Sequence, residues 1–156
     1  MKQSIIIILV VLSGNLFAQS GDVAFADKKV EAAYVNYLQL KDALVASNAD
    51  AAREAAGKLN ASLAGVHHGK SASTEASKLS KQTSLEDIRK TFAALSTAMT
   101  SVVKSAKVSK GTLYVEYCPM ANKNTGAFWL SNDKEIKNPY FGDMMLNCGS
   151  VKETIK

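Results

Sequence analysis

From Ser84 to Lys107 the chain carries one unbroken apolar stripe: Ile88, Phe92, Leu95, Met99, Val102 and Ala106 follow at steps of four, three, four, three and four residues. Such steps return to one side of an α-helix, so the segment reads as a long helix with an apolar face that other elements must cover. Ser84, with Asp87 three residues later, forms a capping box at its start.

Earlier segments supply the cover. From Asp27 to Ala46, Val30, Tyr34, Tyr37, Lys41 and Leu44 share a helical face that Ala33, Leu38 and Val45 widen; Lys41 interrupts it with a stem long enough to snorkel. Asn48 is placed to cap a second helix with the face Ala52, Ala56, Leu59, Leu63 and Val66, which ends where Gly65 and Gly69 bracket His67 and His68. The run "KSASTEASKLSKQ" is polar, with Ala72, Ala76 and Leu79 as its apolar edge, and reads as a short helix or an ordered linker. The expectation is a mainly α fold, an antiparallel bundle of three or four helices.

Beyond Gly111 the texture changes. "TLYVEY" is β-branched and aromatic, and "GAFWL" and "NPYFG" are aromatic pieces punctuated by Gly, Asn and Pro. Residues of about 111–150 are expected to form an irregular or small β cap that carries the cysteines and packs Phe128, Trp129 and Tyr140 onto the bundle. With no internal repeat and no sharp compositional shift, 19–156 reads as a single domain.

The start, "MKQSIIIILVVLSGNLFAQS", places a lysine before the apolar run Ile5 to Leu12 and a small residue at Ala18. This is the layout of a secretory signal peptide over 1–18, with a run too short to span a bilayer comfortably. The expectation is cleavage near Ala18 and a periplasmic mature chain with no membrane span. The net charge of +5 is spread along the chain, with no basic stripe interleaved with aromatics, which argues against nucleic acid as a partner.

Only two cysteines occur, Cys118 in "YCPMAN" and Cys148 in "MMLNCG". Thiolate and thioether sulfur prefer soft copper(I), and Cys118, Met120, Met144, Met145 and Cys148 are donors of this kind. Pro119 fixes the backbone between Cys118 and Met120. Two other readings stay open: methionines fill gaps in cores, and cysteines of an exported protein form disulfides. A Cys118–Cys148 bond would be worth about 3 to 4 kcal/mol in the chain-entropy model. His67 and His68 with the two thiolates would make a zinc set, but the spacing matches no zinc-finger pattern. Adjacent histidines on a helix diverge by about 100°, so a solvated helix end accounts for them, with at most one joining a soft site. There is no Cys-x-x-Cys, no Gly-rich phosphate loop and no recognisable Ser/His/Asp context, and Asp133, Glu135 and Asp143 read as turn residues, so no catalysis is expected.

The run "YCPMANKNTGAFWLSNDKEIKNPYFGDMMLNCG" resembles the signature of the periplasmic domain of unknown function 3347 family, which occurs alone and fused to membrane fusion subunits of heavy-metal efflux pumps. Cys118 to Ala121, Gly126 and Ala127, Trp129 to Ser131, Ile136, Asn138 to Tyr140, Gly142, and Met145, Cys148 and Gly149 carry the likeness; "SLEDIRKTFAALS" carries it more faintly. The resemblance implies handling of copper or a related metal, with such a membrane fusion subunit as partner. "YCPM" is also similar to the short heavy-metal-binding segments of copper-exporting ATPases. Here Ala121 replaces their histidine, and Cys148 has no cysteine three residues before it.

The reading is a periplasmic copper(I)-binding protein with Cys118, Met120 and Cys148 as ligands. Met144 or Met145 adds a thioether, His67 or His68 a further donor, and Trp129 and Tyr140 wall the site from water. Its rival is a structural or interaction module stapled by a Cys118–Cys148 disulfide.

Overall fold

Asp27 starts the first helix by accepting the Lys29 N–H at 2.8 Å, and α1 runs Lys28–Val45. Asn48 does the same for α2, Ala49–Ser62, accepting the Ala51 N–H at 3.0 Å. Ser84 begins α4, Leu85–Ser105, by accepting from Asp87 N–H at 3.4 Å. Each short polar side chain satisfies an amide that has no partner within the helix. The structure, a computed structural model, describes residues 22–156, so the leader read at 1–18 lies outside the described residues.

The polar run after Gly69 is a helix, α3, Lys70–Leu79. Its Ala72, Ala76 and Leu79 are fully buried, which decides between helix and linker. Along the chain α1 packs on α2, α2 on α3 and α3 on α4. The stripes of α1, α2 and α4 are buried as their spacing predicts, except that Leu38, Val45 and Ala106 are only half-buried. Lys41 is 6% exposed, and its ammonium reaches Asp42 at 2.8 Å.

The segment after Gly111 is more regular than the expected cap. Strands β3, Leu113–Cys118, β4, Ala127–Ser131, and β5, Ser150–Ile155, form an antiparallel sheet in the order β4-β3-β5. A separate antiparallel pair joins β1, Ala24–Phe25, to β2, Val108–Lys110. The β3–β5 register shifts between Val115 and Glu116, and both residues are buried, so strict alternation fails there.

A file of rings connects helices and sheet. Centroids lie 5.5 Å apart for Tyr37–Phe92, 5.6 Å for Phe92–Tyr140 and 6.0 Å for Trp129–Tyr140. The Tyr37 hydroxyl accepts the Leu130 N–H at 3.0 Å and shares a hydrogen with Ser96 at 2.8 Å, tying β4 to α1 and α4. Phe128 departs from expectation. It is 41% exposed and packs on Tyr117 at 4.5 Å, because its position on β4 faces away from the helices.

Candidate metal centre

Cys118 ends β3 and Cys148 precedes β5, and their sulfurs meet at 2.7 Å across 30 residues of chain. Cys118 is fully buried, Cys148 is half-buried, and no disulfide joins them. Cys118 is fixed by its strand, paired opposite Ala127.

Cys148 is fixed by a loop built around Asn138. The buried Asn138 donates from Nδ2 to the Cys148 carbonyl at 2.7 Å, donates its N–H to Leu146 O at 2.8 Å and accepts from the Tyr140 N–H at 2.8 Å. Arg89 of α4 holds the same loop by donating from Nε to Pro139 O at 2.9 Å. Gly149 completes the approach. A Cβ there would lie 2.8 Å from Trp129 Cη2 and 3.1 Å from Tyr117 O, and its φ of +147° suits glycine alone. Neither Asn138 nor Gly149 stands out as a site residue by chemistry, although both fall in the punctuated pieces "NPYFG" and "NCG".

The Cys148 thiol is pushed up to about 11, first by hydrogen bonding to the Cys118 thiol and then by burial. A metal ion must therefore displace protons to bind. At a thiolate bond length of about 2.3 Å to each sulfur, the pair would have to part to nearly 4 Å.

The methionines divide. Met120 is 45% exposed and Met144 is 75% exposed, so neither is a core filler. Both line one cleft of about 560 Å³, with Leu85, Arg89, Tyr140 and Phe141. The cysteines do not line it. Met145 is half-buried, and its carbonyl accepts the Cys148 N–H at 3.1 Å. His67 and His68 stand in the α2–α3 connection with ring centroids 3.9 Å apart. Among the described residues no group of three or more His, Cys, Asp or Glu comes together, so neither imidazole joins the sulfur pair here.

A polar residue that the sequence reading passed over lies two positions before Cys118. Glu116 is fully buried with both carboxylate oxygens unpartnered, and so is Nε1 of Trp129, its partner across the strands. Burial pushes the Glu116 carboxyl up to about 7, against the opposing pull of Lys41 and the Trp129 N–H; Asp133 adds a small push upward. Glu116 shares its strand face with the buried Cys118 two positions on and with its cross-strand partner Trp129, so alternation along β3 turns it into the interior.

No helix among the described residues is long and apolar enough to cross a membrane. Neither curated proteins nor solved structures give a match. One family model matches residues 33–111, most of α1 through β2, whereas the Cys/Met run lies beyond the matched residues. The match spans half of the chain, and the chain belongs to the family described as "Protein of unknown function (DUF3347)".

Proposed function

We propose that this chain is a periplasmic metal-binding protein that takes copper(I) on the reduced Cys118–Cys148 pair and sequesters it or delivers it to an efflux system through a membrane fusion subunit. The helices act as an antiparallel bundle, a rigid base for the sheet that presents the thiols. The observation that carries the reading is the contact of the two sulfurs at 2.7 Å at one end of the sheet, one from the close of β3 and the other from the anchored loop that leads into β5. Two thiolates suffice for a soft monovalent ion, and the supporting thioethers favour its reduced state. Met120 stands two positions from Cys118 and Met145 three from Cys148, and Met120 and Met144 are free of the core and able to turn toward an ion. Trp129, fully buried beside Gly149, limits access of water.

The same contact favours a second reading, the disulfide staple, because sulfurs this close need little movement to bond. Competition for copper(I) between the reduced protein and a chromogenic chelator separates the two. The copper reading expects the wild type to withdraw the ion, and Cys118→Ser and Cys148→Ser each to lose nearly all of that ability. A reduced wild type that fails against even a weak chelator overturns it and leaves the staple.

A further inference from the structure

We propose that Cys148 is a thiol–disulfide exchange site for a low-molecular-weight disulfide, with Cys118 as its resolving thiol. The two sulfurs differ in access and not in proximity. Cys118 is fully buried at the end of β3, whereas Cys148 is half-buried in the loop before β5. Exchange requires the attacking sulfur to approach the incoming S–S bond in line, which a buried thiol cannot do without opening the sheet. Access therefore assigns the first step to Cys148.

The second step needs a thiol already in contact with the mixed disulfide. Cys118 Sγ stands 2.7 Å from Cys148 Sγ, and Asn138 and Gly149 hold the Cys148 backbone in place. In the first step Cys148 attacks one sulfur of RSSR, its proton leaves with the displaced RSH, and a Cys148–S–SR bond forms. In the second step Cys118 attacks the Cys148 sulfur, its proton leaves with the second RSH, and the Cys118–Cys148 bond closes. The protein pair loses two electrons, and RSSR gains them. The closed pair offers no thiolate, so exchange also shuts the copper(I) site; that consequence alone rests on the function proposed above.

Oxidised glutathione is the probe. Reduced wild-type protein is mixed with it, quenched with acid at short times, and its cysteine peptides are mapped by mass. The expected result is a transient adduct on Cys148, followed by loss of both alkylatable thiols and full recovery with dithiothreitol. Cys118→Ser should accumulate a lasting adduct on Cys148, and Cys148→Ser should react about tenfold more slowly. An adduct trapped first on Cys118, or a wild type that keeps two alkylatable thiols in excess probe, overturns the proposal. Because the wild-type map needs no variant, misfolding of a serine variant leaves the decision intact. The thiol count decides exchange, and copper(I) binding by reduced protein decides the function, so either can fail without the other.

Discussion

Glu116 and Trp129 are cross-strand partners on β3 and β4, both fully buried. Their carboxyl and indole N–H make no well-formed hydrogen bond, yet the N–H lies close enough to draw the carboxyl pKa down against the push of burial. Tyr34 and Tyr37 of α1 lie within its field, and Lys41 supplies the opposing charge. Such a carboxyl is held in its neutral form by the interior, since the charged form forfeits its hydration.

That placement makes stability depend on pH in one direction. The folded-state pKa of Glu116 is raised to about 7, above the roughly 4.3 of an unfolded glutamate. The folded chain therefore binds the proton more tightly. Its contribution is fully present below the unfolded value and is lost as pH rises through the folded one, by at most on the order of 3 kcal/mol. The metal-free protein should lose melting temperature between pH 5 and pH 7.5, about the window set by those two values. Glu116→Gln should flatten that slope. An equal slope in the variant would assign the effect to other groups.

Phe92 stands between Tyr37 and Tyr140, at centroid distances of 5.5 and 5.6 Å, and is fully buried. Phe92→Ala should cost about 3 to 5 kcal/mol in urea unfolding, because it leaves a cavity at the junction of helix and sheet. A loss below roughly 1 kcal/mol, the range of surface substitutions, would show that the ring file carries little of the stability.

Much of this was legible beforehand, and for a physical reason. A helical stripe such as Ile88 to Val102 encodes its own burial, so α1, α2 and α4 follow from spacing, and the caps of α2 and α4 from Asn48 and Ser84, whereas the Asp27 cap of α1 emerged only in the structure. The strand β5 was not legible. "SVKETI" is largely exposed, is tied to α4 by the Lys104–Glu153 ion pair, and owes its conformation to pairing with β3. The site was half legible: chemistry singled out the two cysteines, but their contact depends on Asn138 and Gly149, whose roles are geometric.

Gly149 offers a direct test of that geometry. Gly149→Ala adds a methyl that meets Trp129 at 2.8 Å with no relief from the backbone, whose φ is +147°. The cost should be roughly 1 to 3 kcal/mol, combining strain with overpacking. The thiol pair should also be displaced, so the variant should close its disulfide more slowly in oxidised glutathione. Unchanged stability and unchanged closure together would mean that the loop adapts freely.

The thioethers give the last test, since their exposure separates a ligand role from a packing role. Met120 and Met144 are 45% and 75% exposed, so replacing either by leucine removes a sulfur while disturbing little packing. Met120→Leu and Met144→Leu should each leave stability within about 1.5 kcal/mol of wild type, the range of volume-conserving swaps. For metal the expectations differ by donor type. A thiolate brings charge and a strong bond to copper(I), whereas a thioether adds a weaker neutral bond, so the leucine variants should weaken binding without abolishing it. Affinity should also rise with pH, because the Cys148 thiol, raised to about 11, must give up its proton as the ion binds. Chelator competition at two pH values reads both effects. If the double leucine variant binds copper(I) as tightly as wild type, the two methionines are surface residues of the cleft, and the ion is held by the cysteines without them.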